Sequence, residues 1–211
     1  MADLAGRGIE PFRGLPPVLS EREVVFRRAS DVARRALSLT AVAIRGESLV
    51  GAPLSVKDLR RRFPLAFDNL TPKETALMSD GKLFSPGPRP DQAAAMQAVW
   101  RYEAAATLFW ALGMYSLPFP SGAISASDLV QFVVSLDAEP FVAAAELRPA
   151  GEILSELDRD YRLHWIAVDD IQNGRETSAG FDPDVVSERH YALNWLVSVE
   201  DVAWDDVTTP T

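Results

Sequence analysis

The sequence predicts a mainly α-helical protein: a single compact helical domain built on three long helices, with an extended N-terminal arm. Two observations carry this. Helix starts with explicit cap or first-turn proline chemistry recur along the chain, at Ser20, Thr71, Pro149 and Asp182. No Asn-Gly or similar turn joins two runs of alternating hydrophobicity, so no hairpin is signalled. Of the 211 residues 47% are hydrophobic and 24% charged, which supplies one core and is unlike a disordered composition.

The elements follow in order. Residues 1–19 are rich in glycine and proline (Gly6, Gly8, Pro11, Gly14, Pro16, Pro17) and read as an extended arm without internal hydrogen bonds, ahead of one helical domain over 20–211. Ser20-Glu21-Arg22-Glu23 is a capping box, in which the serine oxygen takes an orphan amide and Glu23 reaches back. The helix it opens runs to Ile44 with Gly46 as its stop, or re-nucleates at Ser30-Asp31. Val25, Val32, Ala36, Leu39 and Ala43 keep its helical period.

Ser55 and Asp58 open a short helix that ends before Pro64. Thr71-Pro72-Lys73-Glu74 combines a cap, a proline where no amide is needed and a glutamate at the third helical position. Residues 81–90 read as a loop. Asp91 caps a long helix through Gly113, with Ala95, Val99, Tyr102, Ala106 and Phe109 in one apolar row and Met96, Trp100, Thr107 and Trp110 in another. Ser125 to Leu136 reads as helix, although Phe132-Val133-Val134 also suits a strand. Pro149 as first helical residue starts a helix to Gly174 with stripe Ile153, Leu157, Tyr161, His164, Val168 and Ile171. Asp182-Pro183 starts the last, with stripe Val186, His190, Leu193 and Val197; the tail around Trp204 has no periodicity. The three long helices, near 91–113, 150–173 and 183–198, are expected to form the centre, with the N-terminal helices packed outside.

Composition narrows the chemistry. With no cysteine there is no disulfide, thiolate zinc site or cysteine nucleophile, and His164 and His190 are too few for a His-rich metal centre. Asp169-Asp170 and Asp205-Asp206 are adjacent pairs that point apart on a helix, so no metal site is expected. Neither a glycine-rich phosphate loop nor a Gly-x-Ser-x-Gly elbow occurs, and no cofactor is expected. No apolar run approaches the ~20 residues a bilayer needs. Asp3, Arg7, Glu10 and Arg13 interrupt the N-terminus where a signal peptide would be apolar, so a cytoplasmic location is expected.

The net charge of −9 is unevenly placed: residues 101–211 hold 6 Lys/Arg against 19 Asp/Glu, a balance of −13. Such a half repels nucleic acid and anionic lipid and favours a basic protein partner. Arg60-Arg61-Arg62, the one dense basic cluster, reads as a solvated helix face.

Several segments together resemble an uncharacterised bacterial family, the domain-of-unknown-function family 4272. They are Trp100-Arg101-Tyr102-Glu103-Ala104, Leu108-Phe109-Trp110-Ala111-Leu112-Gly113, Arg148-Pro149, Glu152-Ile153-Leu154 and Tyr161-Arg162-Leu163-His164-Trp165. Glu188-Arg189-His190, Ala192-Leu193-Asn194-Trp195-Leu196 and Trp204-Asp205-Asp206-Val207 continue the likeness, with Leu15-Pro16-Pro17, Val32-Ala33-Arg34-Arg35-Ala36-Leu37 and Leu70-Thr71-Pro72-Lys73-Glu74 earlier. The resemblance covers nearly the whole chain in order and implies no known activity.

Candidate functional residues are the polar groups on core-facing stripes, where an unpartnered charge is costly. Glu103 lies beside the tryptophan-bearing face, His164 and His190 sit on apolar stripes, and Arg162 has Asp158 four residues before it. In one reading these groups form a buried network of ion pairs tying the helices together, with an arginine, Arg162 or Arg189, as the partner of Glu103. In the other they line a pocket in which Glu103 and His164 are candidate catalytic residues, while Arg162, Glu188 and Arg189 bind a ligand. The leading expectation is a non-catalytic binding or protein-interaction domain. The alternatives are a metal-independent hydrolase or transferase using that pocket, and a purely structural subunit.

Overall fold

The structure, a computed structural model, describes residues 2–10, 12, 14–16, 22, 24–51, 54–78, 92–175, 180–197 and 202–211. At its centre is α2 (Ala29–Val50), buried over most of its circumference from Val32 to Ala43. Around it lie α3 (Val56–Arg62), a 3-10 turn (Pro64–Asn69), α4 (Pro72–Leu77), α5 (Gln92–Val99), α6 (Arg101–Ala111), α7 (Ala126–Ser135) and α8 (Ala138–Ala143). Then α9 (Ala150–Gln172) and α10 (Pro183–Leu196) pack on each other, and α10 also packs on α6. Ten helices, counting α1 (Ala2–Gly6), and no strand are present among the described residues. The mainly helical expectation holds, but the N-terminal helices are not peripheral: α2 is the hub.

Helix α2 starts at the later of the two expected points. Arg28 precedes it without a side-chain cap, and Asp31 in the first turn pairs with Arg28 at 2.8 Å, where a carboxylate suits the positive helix end. Ser20, Glu21 and Glu23 of the expected capping box lie outside the described residues. Nor is Gly46 a stop, since the helix runs on to Val50. Its role is steric: a Cβ there would stand 2.6 Å from the Ala95 carbonyl oxygen and 2.8 Å from the Ala98 Cβ. The missing side chain lets α2 and α5 touch backbone to backbone.

The expected helix over 91–113 is broken at Trp100, where the Glu103 amide donates to the Trp100 carbonyl three residues back at 3.0 Å. Both segments lie against α2. Asp91 and the 81–90 loop lie outside the described residues. Tyr102, Ala106 and Phe109 are buried as their row requires, whereas Met96 is half exposed.

Local chemistry accounts for most other boundaries. The Ser55 oxygen accepts from the Asp58 amide, and α3 ends before Pro64. At α4 the full capping box forms: Thr71 Oγ1 accepts from the Glu74 amide (3.2 Å) and Glu74 Oε2 from the Thr71 amide (2.9 Å). Phe132-Val133-Val134 is helical, inside α7. Pro149 precedes α9 in the extended cap position, one residue earlier than expected. Asp182 caps α10 by accepting from the Asp184 and Val185 amides, with Pro183 as first residue.

Two corrections concern faces and ends. The inward face of α9 is Ile153, Leu157, Asp160, Leu163, Ala167 and Asp170, while Tyr161, His164 and Val168 lie beside it and Ile171 is 67% exposed. The apolar stripe passed over Asp160 and Asp170 because they are charged. The N-terminal arm is not extended throughout, because α1 makes one helical turn whose carbonyls accept from the Arg7, Gly8 and Ile9 amides. Leu4 and Ile9 bury against Leu163, Ala167, Phe181 and Val186, and that apolar gain fixes the segment. Trp204, in the tail without periodicity, is 4% exposed and packs edge-on against Tyr191 and Trp195.

No helix of the described residues is long and apolar enough to cross a membrane. Gly46→Ala is expected to lower stability by about 1 kcal/mol, overpacking of about 1–3 kcal/mol outweighing the gain of about 0.5–1 kcal/mol from better helix propensity. A thermal midpoint that rises would show that α2 and α5 separate freely.

Candidate functional site

The densest ionisable cluster lies between α6, α9 and α10. Glu103 arrives from the first turn of α6 and Arg189 from the middle of α10, and both are buried, at 1% and 0% exposure. Arg189 Nε donates to Glu103 Oε2 at 3.1 Å, and Glu103 Oε1 accepts from the Ile124 amide at 2.5 Å. Arg189 Nη1 donates to the Pro118 carbonyl at 2.6 Å. The pair thus holds two helices together and grips both ends of the segment 118–124, which crosses from α6 to α7.

Asp160 enters the same region from α9 and is fully buried, with neither carboxylate oxygen hydrogen-bonded. Its nearest cation is Arg159, with Nε 3.9 Å from Oδ1, too far for a hydrogen bond. Burial, then the neighbouring Glu156 charge, pushes its acid up to about 8, against the pull of Arg159 and Arg189. Sequence reasoning missed this residue. The signal was its spacing: Asp160 stands three residues after Leu157 and three before Leu163, on the inward face.

The other candidates do not join this cluster. Glu188 accepts from Arg101 (2.7 Å) and Gln97 (3.2 Å), toward α5 and α6; burial raises its acid, and Arg101 opposes that. Arg162 binds Asp158 through two hydrogen bonds of 2.9 and 3.0 Å, the expected pairing one turn apart. His164 Nδ1 meets His190 Nδ1 at 2.9 Å, so one imidazole donates and the other accepts. Burial holds both below the ordinary imidazole range, His190 down to about 3. Glu103, His164 and an arginine therefore do not converge: Glu103 meets Arg189, and His164 meets His190.

Two surface concavities, lined chiefly by Phe63, Leu65 and Val133 and by Arg34, Leu65 and Glu139, contain none of the five candidates. Among the described residues no three His, Asp or Glu side chains group as metal ligands would. Chemically, the cluster can store charge and fasten a segment.

A mainly helical fold with buried arginine–carboxylate fasteners places the chain among helical domains tied by internal ion pairs. More specifically, it belongs to the family described as a domain of unknown function (DUF4272), whose family model matches residues 1–207. No curated protein and no solved structure matches the chain.

Glu103→Gln removes one charge and leaves Arg189 buried without its counter-ion. The expected loss is about 3–5 kcal/mol in denaturant unfolding, and an unchanged midpoint would exclude a structural role for the pair. The imidazoles make a second expectation. Below their ordinary value of 6.5 the unfolded chain takes up protons that the folded His164–His190 pair refuses. Stability carried by this pair should be intact above pH 6.5 and decline as pH falls toward about 3, measured as the urea midpoint. His190→Gln should flatten that decline, and an equally steep decline in the variant would refute the assignment.

Proposed function

We propose that this chain is a non-catalytic cytoplasmic interaction domain that recognises a basic protein surface. What supports the reading first is that each candidate ionisable side chain is engaged within the fold. Glu103 pairs with Arg189, Glu188 with Arg101, Arg162 with Asp158 and His164 with His190. A catalytic acid or base has to reach a substrate proton, and these groups are turned toward one another.

The observation that carries the partner class is the acidic surface around α7 and α8. Asp128, Asp137, Glu139 and Glu146 are all exposed. Between residues 102 and 158 the sequence holds a single Lys or Arg, Arg148, which engages Glu152 at 3.1 Å. Arg34 and Arg62 border α7 and α8 across the neighbouring concavities, so the surface is acidic in balance rather than of one sign. An acidic balance still speeds encounter with an oppositely charged surface.

Affinity purification from the native host supplies the partner, and stopped-flow association across a salt series tests the reading. The association rate should fall steeply with ionic strength, and replacing Asp137, Glu139 and Glu146 by lysine should lower it about tenfold or more at low salt. A rate indifferent to salt and to the charge reversal would overturn the proposal.

A further inference from the structure

Of the three carboxylates in this cluster, Glu103 and Glu156 each accept a hydrogen bond from an arginine, and Asp160 accepts none. The charged groups acting on Asp160 are Glu156 and Arg159 from its own helix, Arg189 from α10 and Glu103 from α6. Arg159 is engaged by Glu156 and Arg189 by Glu103, and neither guanidinium reaches Asp160 with a hydrogen bond. A third negative charge here would be fully buried, without a hydrogen bond to either oxygen. We propose that Asp160 is a proton switch: the folded protein carries it as the neutral acid, and its ionisation loosens the segment 118–124.

The coupling to that segment runs through two arginines. Arg189 spends Nε on Glu103 and Nη1 on the Pro118 carbonyl, while its Nη2 is buried without a hydrogen-bond partner. Arg159 lies 6.0 Å from the centre of the Phe119 ring, which Arg7 also covers at 3.9 Å, and its Nε is likewise unbonded. An ionised carboxylate is a stronger acceptor than a neutral carbonyl or a ring face. Once charged, Asp160 competes for both guanidinium groups, so the Pro118 carbonyl loses its donor and Phe119 keeps Arg7 alone of its two arginines. Burial's upward push on the acid, to about 8, agrees with this arrangement.

The sign of the linkage is definite. The folded acid sits above its ordinary 3.8, so between 3.8 and about 8 the folded chain keeps a proton that the unfolded chain has lost. The Asp160 contribution is therefore complete below 3.8 and diminishes as pH rises to about 8.

Hydrogen exchange of the backbone amides in 118–124, corrected for the intrinsic base-catalysed rate, tests the switch between pH 6 and 9.5 in the wild type and in Asp160→Asn. Wild-type protection should drop by about tenfold or more with a midpoint near 8, and the variant should show no such step. Protection that stays level in the wild type, or an equal drop in both proteins, would overturn the proposal. Should Asp160→Asn not fold, carbon NMR of the wild-type aspartate carboxyls decides. A resonance titrating near 8 supports the switch, and titration of every aspartate between about 3 and 5 refutes it.

Discussion

A fully buried guanidinium has to be answered from every side, and Arg189 is the point on which the C-terminal half of this molecule turns. Its charge draws Glu103 out of α6, its second nitrogen takes a carbonyl from the segment after α6, and Glu103 in turn takes an amide from the far end of that segment. Without the carboxylate the cation could not be buried, because desolvation exceeds what neutral acceptors return. Without the cation, α6 and α10 would meet across an uncompensated acid. The two groups are therefore a single structural decision, and the path of the chain over 118–124 follows from it.

The same device recurs in the other half. Arg35, on the buried side of α2, pairs with Glu74 and donates to the Asn69 carbonyl at 2.9 Å. Arg45, also on α2 and fully buried, donates to the Leu54 carbonyl at 2.8 Å and the Leu77 carbonyl at 3.3 Å. Irregular segments carry backbone carbonyls that no helix satisfies, and a guanidinium with five donors can collect several of them. The protein thus sews its connections onto its helices with arginine. Glu74 shows how closely the levels are joined, because one of its oxygens completes the capping box of α4 while the other holds Arg35.

How much of this was legible depended on whether the signal was local. Thr71-Pro72-Lys73-Glu74, Ser55 and Asp182-Pro183 each specify a helix start with atoms a few residues apart, and each forms as read. Gly46 misleads for the same reason, since locally it reads as a stop and only the approach of α5, some fifty residues on, makes it an interior contact. The pairing of Glu103 with an arginine could be anticipated from the cost of a lone buried charge, and choosing Arg189 over Arg162 required the packing of α6 on α10. Asp160 was hidden by the method of reading: a stripe counted in apolar residues cannot reveal an acid that occupies a core position. Arg34 and Arg35 carry the converse lesson, adjacent and chemically identical, yet only Arg35 turns inward to Glu74.

The docking of Trp204 carries a consequence for how such a chain is born. Arg35 of α2 lies 4.6 Å from the Trp204 ring, and Arg27 just ahead of α2 donates to the Trp195 carbonyl at 2.7 Å. These contacts join residues more than 160 positions apart, so the hub helix is synthesised long before the side chains that finish its surroundings. On a ribosome adding about 5–20 residues each second, Arg27 and Arg35 wait on the order of ten seconds for these last partners. Distant contacts also slow folding relative to helical bundles built from neighbours. The N-terminal flank of the hub helix is therefore completed only once the residues around Trp195 and Trp204 have been made.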